Sequence, residues 1–170
     1  MIWVYIAGCV AVLLGMSVFF GAPYVPSRRR DLRRLLDTAL PLGKTDVVLD
    51  IGSGDGVVLR EVSRRGAKAV GYEIHPLFVW ISRALSWRDP NVSVRWVNGW
   101  REAFPDATTI VYAFSVSRDG KRLQRAVQRE ANRLNRPLKL VCYGSPLVGI
   151  EPVATFEAYA IYVIEPLHLS

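Results

Sequence analysis

From Thr45 onward the chain alternates short runs of branched apolar residues with longer segments in which apolar residues recur every three or four positions. The first kind predicts buried strands near 46–51, 69–73, 92–97, 108–115 and 138–143. The second predicts helices near 57–65, 77–87 and 119–135, with a short turn or helix around 100–104. The longest of these keeps Leu123, Val127, Ala131 and Leu134 on one face. Such alternation is the signature of a parallel sheet covered by helices on both sides. After Gly144 the alternation stops. Residues 145–152 are few and contain Pro146, Gly149 and Pro152, so no crossover helix fits, whereas 153–164 is dense in aromatic and β-branched residues. The expectation is an antiparallel pair that closes the sheet.

Two segments precede this alternation. Residues 2–22 carry no charge, and twenty-one residues at ~1.5 Å rise give about 31 Å of helix, enough to span a bilayer's hydrocarbon core. They read as a transmembrane anchor. A cleaved signal peptide is disfavoured because no basic residue precedes the apolar run and Pro23 follows Gly21-Ala22 where cleavage would fall. A Pro/Arg-rich linker follows, and then Leu32, Leu35, Leu36, Ala39 and Leu40 mark an amphipathic helix. Arg28, Arg29, Arg30, Arg33 and Arg34 all lie just past the apolar run, which places the rest of the chain on the cytoplasmic, positive-inside face. Two readings of this helix stay open together: its arginines lie on anionic headgroups, or it packs on the sheet with its arginines solvated. The parse is 1–22 anchor, 23–44 linker and basic helix, and 45–170 a single α/β domain.

The net charge of +7, from 22 basic and 15 acidic residues, does not by itself imply nucleic acid. Much of the excess sits in the cluster after the anchor and in Arg118, Lys121, Arg122, Arg125, Arg129, Arg133 and Arg136, which read as the solvated face of the long helix. Two cysteines, Cys9 and Cys142, and two histidines, His75 and His168, are too few and too scattered to imply a disulfide or a metal site.

The candidate chemistry lies where the first strand ends. Asp50, Gly52, Ser53, Gly54 and Gly56 join a buried strand to a helix through alternating glycines, which let a ligand lie against the main chain. The dinucleotide pattern G-x-G-x-x-G requires glycine at 57, where the chain has Val57. The acid two residues before the first glycine and the glycines at every second position point instead to S-adenosylmethionine. Helix N–H groups beyond the turn offer a place for its carboxylate, and Asp50 is expected to order the turn and the amino-acid end. The second strand ends on Glu73, whose two oxygens suit the vicinal hydroxyls of a ribose. Trp100 is read either as a cap on the adenine or as core. Phe114, Ser115 and Ser117, at the carboxyl end of the fourth strand, are candidates for the acceptor channel.

Gly21 to Ser86, including VVLDIGSGDGVVLREVSRRGAKAVGYEIHPLFVWISRALS, resembles the membrane-anchored lysine methyltransferases that act on the ATP synthase c-subunit and the ADP/ATP translocase. The segments Gly71-Tyr72-Glu73-Ile74-His75-Pro76 and Val79-Trp80-Ile81-Ser82-Arg83 carry much of the likeness. It implies a Rossmann-like class I methyltransferase fold, S-adenosylmethionine as methyl donor and a lysine of a membrane protein as acceptor. The chain departs from the family pattern at Asn98, where an aspartate is expected to face the adenine, and at Phe114-Ser115-Val116-Ser117 in place of a Phe-Gly-Val-Pro-like segment. Asn98 retains an oxygen that can accept from the adenine amino group. Lysine rests on the resemblance alone. The rival readings are a methyltransferase for a lipid or quinone head group, a tethered binding module without activity, and an NAD-binding oxidoreductase.

Overall fold

The computed structural model of the chain describes residues 1–5, 8 and 29–167. The predicted anchor lies outside the described residues except at its first few positions and Gly8. Among the described residues, no helix is long and apolar enough to cross a membrane.

Five parallel strands form the body of the sheet: β1 (Val47–Ile51), β2 (Lys68–Glu73), β3 (Val92–Trp96), β4 (Ile110–Ser115) and β5 (Leu138–Gly144). Two more, β6 (Ala154–Phe156) and β7 (Tyr159–Ile164), complete the order β3-β2-β1-β4-β5-β7-β6. β7 lies antiparallel to both β5 and β6, so the predicted closing pair is present, with the later strand inserted next to the body. The tight return between the two is set by Glu157, held at φ 52°. No helix occurs between β5 and β6.

Helices cover both faces because the strand residues alternate between two cores. On one face, Val48, Ala69, Val94, Ile110, Tyr112, Val141, Tyr159 and Ile161 meet α1 (Arg29–Arg34, continued by a widened π turn over Leu35–Ala39), α2 (Val57–Ser63) and α3 (Pro76–Leu85) through Val79. On the other face, Leu49, Val111, Ala113, Leu140, Cys142 and Tyr162 meet Leu123, Val127 and Ala131 of α4 (Gly120–Leu134). The segment predicted as a turn or helix near 100–104 is a turn. The long helix stops at Asn135, which takes the left-handed conformation (φ 50°) that ends helices.

The basic amphipathic segment packs on the sheet. Leu32, Leu35, Leu36 and Leu40 are all buried, each contributing about 2 kcal/mol of apolar transfer, and the π turn, closed by Leu40 N–H to the Leu35 carbonyl at 2.8 Å, keeps Leu40 in the stripe. Its arginines are only partly solvated. Arg33 donates twice, at 3.0 Å, to the buried carboxylate of Glu61 on α2, and Arg34 pairs with Glu157. Burial pushes the Glu61 carboxyl up, but the guanidiniums of Arg33, Arg64 and Arg65 outweigh it and hold the group below its ordinary range.

The basic face of the long helix is exposed at Arg118, Lys121, Arg122 and Arg125, as expected of a solvated face, while its later arginines also reach inward to partners. Arg129 and Arg133 clasp the buried Glu130, which also accepts from the Phe104 N–H at 3.1 Å. Arg136 donates to the carbonyls of Asp106 and Thr108. A buried acid on the inner face of the helix, which charge counting overlooks, draws these arginines inward.

Candidate functional site

Strand order reverses at β1, whose neighbours β2 and β4 lead outward in opposite directions, and the crevice off the carboxyl ends of these strands is where open α/β sheets bind ligands. Asp50 on β1 stands opposite Gly71 on β2, and Glu73 lies two residues further along the same strand. With a period of two, Asp50 and Glu73 therefore project from the same face of adjacent strands.

The two carboxylates have different duties. Glu73, 7% exposed, accepts from Gly54 N–H at 2.9 Å and from His75 N–H at 2.7 Å, pinning the glycine turn to the start of α3. Asp50, 3% exposed, accepts no hydrogen bond from the described residues. The expectation that Asp50 orders the turn is thus corrected: the acid of the neighbouring strand does so, because the loop folds back over β2 with Gly52 and Ser53 both donating to the Tyr72 carbonyl. Burial first, and then the charges of Glu73 and Asp55, push the Asp50 carboxyl well above the usual carboxylate range.

The turn itself is tight on one side and open on the other. Gly56 has φ +81°, and a Cβ there would stand 2.1 Å from Ser82 Oγ on α3, so only glycine lets α2 begin against α3. Gly52 has φ +80°, yet a Cβ there would meet nothing within 4 Å. The main chain beside the buried acids thus faces open space. The first turn of α2 is less available than expected, since Asp55 accepts from Val57 N–H and is itself held by Arg60. Ser53 packs its hydroxyl toward Gly71, where a Cβ would lie 2.5 Å from Oγ, a close fit that the turn motif alone does not reveal.

Beyond β3, Asn98 uses its side-chain oxygen to accept from Trp100 N–H at 3.1 Å, and its carbonyl accepts from Arg101 and Glu102. The residue shapes its own turn. Trp100 packs partly buried against the core of the α4 face, with the Arg122 guanidinium 4.7 Å above its ring. Of its two readings, the core reading fits this environment.

The structure separates the three acceptor candidates. Phe114 projects to the side of Tyr112, where its ring lies 5.8 Å from that of Tyr143, which in turn stacks on Tyr159 at 4.9 Å. Ser115 turns to the opposite face and is buried beside Cys142, whose thiol burial pushes up to about 12. Ser117 is exposed and donates to Ser145 Oγ at 3.2 Å. Tyr143 and Tyr159, absent from the sequence-based candidates, come from β5 and β7 and join Phe114 only through the strand pairing.

The chain matches no family model. It is 40% identical over 67 residues to the ATP synthase c-subunit lysine N-methyltransferase of Xenopus laevis, covering 39% of this chain and 29% of that protein. It is 29% identical over 111 residues to the human protein of the same name, covering 64% and 46%. The chain thus spans less than half the length of these curated relatives. Among solved structures, an RNA methyltransferase from Salinibacter ruber in complex with S-adenosyl-L-homocysteine superposes with TM-score 0.72 at 23% identity, covering 83% of this chain and 94% of that one. A SAM-dependent methyltransferase from Geobacter sulfurreducens, also with S-adenosyl-L-homocysteine, gives 0.59 at 18% identity, covering 82% and 58%. The fold is that of the Rossmann-like class I methyltransferases.

Proposed function

We propose that the chain is an S-adenosylmethionine-dependent methyltransferase that modifies a lysine side chain of a membrane protein. The observation that carries the cofactor is the pair of buried carboxylates, Asp50 and Glu73, beside open main chain at Gly52. Two acids crowded on one face favour a cation and repel a pyrophosphate, which separates a sulfonium amino acid from a dinucleotide on charge as well as on the glycine pattern. The acceptor rests on the curated relatives, whose name specifies a lysine of the ATP synthase c-subunit, and a membrane protein of that type is the substrate proposed.

The donor supplies a methyl group on a sulfonium, which moves to nitrogen as the carbon–sulfur bond breaks and the carbon–nitrogen bond forms. The protein's part is binding and placement. Asp50 takes the ammonium of the amino-acid end, which relieves its own unpaired burial. Glu73 has spent one acceptor site of each oxygen on the turn and keeps the remaining lone pairs for the ribose hydroxyls. Phe114 and Tyr143 wall the approach to β4. An apolar wall disfavours the charged ammonium and thereby favours the neutral amine that attacks, its proton leaving to water. Asn98 borders the adenine end.

Residues 2–22 serve as a single-pass anchor, with the Arg28–Arg30 part of the basic cluster beside the bilayer, Arg33 and Arg34 turned to the domain, and the domain on the positive-inside face. The test is incubation of the full chain with membranes and donor carrying a labelled methyl group. Label recovered as methyl-lysine after protein hydrolysis is expected. Label only in the lipid extract would replace the acceptor, and no transfer together with no donor binding by calorimetry would remove the enzyme assignment.

A further inference from the structure

The helix α3 has the wrong exterior for a water-facing element. Its inner side is ordinary: Val79 and Ser82 are buried on the sheet. Its outer side carries Leu77, Trp80, Ile81, Ala84 and Leu85, all exposed, with Trp80 at 74%. These positions fall at i, i+3, i+4, i+7 and i+8, so they form one continuous stripe where a surface helix normally places charge. The single charged residue of the helix, Arg83, is bent back onto the Val94 carbonyl at 2.7 and 3.0 Å and leaves the stripe uninterrupted. Trp87 (72% exposed) follows the helix, and Trp96 (64%) and Ile74 border its start. A contiguous exposed patch of this kind marks a surface that is covered in use.

Three observations identify the cover. The patch is rich in tryptophan and bordered by arginine: Arg83 and Arg88 lie at its edge, Arg88 stacks on Trp87 at 4.2 Å, and the helix has no acidic residue. Indoles with arginines at an apolar helix face suit the headgroup level of an anionic bilayer. Second, α3 covers the same face of the sheet as α1, whose exposed Arg29 and Arg30 stand seven and eight residues past the end of the segment proposed as the anchor, so both elements can meet one plane. Third, a groove of about 300 Å³ opens at the end of α3, lined by Arg83, Ser86, Trp87, Asp89, Val92 and Val94. In it the buried Ser86 hydroxyl has no partner, while the one acid, Asp89, accepts from the Ser63 hydroxyl and the Asn91 N–H on a single oxygen, Oδ1.

We infer that the outer face of α3 is a second membrane contact, lying in the headgroup region of an anionic bilayer and holding the α1–α3 side of the domain against it. This rests on the membrane reading above and adds an orientation to it: the start of α3, which follows Glu73 directly, is brought to the bilayer surface, so a lysine at that level is the one presented to the site.

The full chain is placed in vesicles of phosphatidylcholine and phosphatidylglycerol whose acyl chains are brominated near the headgroups. A Trp3→Phe background leaves Trp80, Trp87, Trp96 and Trp100 as the only indoles. Bound protein is separated by flotation. Indole emission is expected to fall about twofold or more relative to unbrominated vesicles. Most of that quenching is expected to disappear in Trp80→Phe/Trp87→Phe. Leu77→Glu/Ile81→Glu is also expected to abolish it while donor binding by calorimetry stays unchanged, since neither residue belongs to the site. Flotation with unquenched indoles would overturn the α3 contact and leave the anchor standing. If the unquenched protein also had twice the monomer mass, a second copy would be the occupant. Failure to float at all would overturn both the anchor and this contact.

Discussion

Replacing Glu73 tests the turn and the site at once. In the free protein its carboxylate accepts two backbone N–H bonds, at 2.9 Å from Gly54 and 2.7 Å from His75, and is nearly enclosed. Hydrogen bonds to an ionised acceptor contribute about 1.5–3 kcal/mol each, so removing both has a ceiling of about 3–6 kcal/mol. Water entering the space left by Glu73→Ala recovers part of this, giving an expected loss of about 2–4 kcal/mol. At about 3–5 °C per kcal/mol for a domain of this size, the midpoint should fall by about 10 °C. Glu73→Gln keeps one acceptor, and removing the charge relieves Asp50, so its loss should be smaller, about 1 kcal/mol. Both variants should bind the methyl donor at least about tenfold more weakly, a difference of about 1.4 kcal/mol. Thermal unfolding of the full chain in mild detergent, followed by circular dichroism, reads the first effect, and calorimetric titration with the donor reads the second. A lower midpoint with unchanged affinity would reduce Glu73 to a brace for the loop. Neither quantity moving would refute the geometry itself.

Asp50→Asn should act oppositely on the two quantities. The folded carboxyl titrates above its unfolded range, so its contribution to stability is intact below that range and is lost as pH rises through the folded value. The variant should therefore be more stable than the parent at neutral and alkaline pH, with a flatter pH profile of the unfolding midpoint, yet bind donor at least about tenfold more weakly. Gly52→Ala and Gly56→Ala should separate cradle from packing. The first should cost only about 1–2 kcal/mol of left-handed strain but cut donor affinity, because its methyl enters the open space. The second should destabilise by more than this, because its methyl collides with Ser82. Glu61→Ala releases the half-exposed Arg33 and Arg64 to water and leaves Arg65 paired with Asp37, so it should cost only about 1–2 kcal/mol with donor affinity retained, read by the same two measurements. The stabilisation that the parent's Glu61 gives is present above the ordinary carboxylate range and lost as pH falls through the depressed folded value.

The local sequence determined the elements and the location of the chemistry. Apolar runs bounded by Gly and Pro define β1 to β5, the stripe of Leu32, Leu35, Leu36 and Leu40 defines α1, and the alternating glycines after Asp50 define the turn, because strand period, helix period and glycine's backbone freedom are all short-range properties. Partnership was decided by tertiary structure. Which acid holds the turn depends on the loop folding back over β2, which gives Glu73 the Gly54 N–H and leaves Asp50 bare. Arg33 finds its partner in Glu61, 28 positions away on α2, and Arg133 reaches Asp106, 27 positions away, neither of which its local sequence contains. Phe114, Tyr143 and Tyr159 share one wall only because β5 and β7 pair. Periodicity reveals which face of an element is apolar, but the charges and rings that face it come from distant segments, and only the packed sheet brings them within a few ångströms.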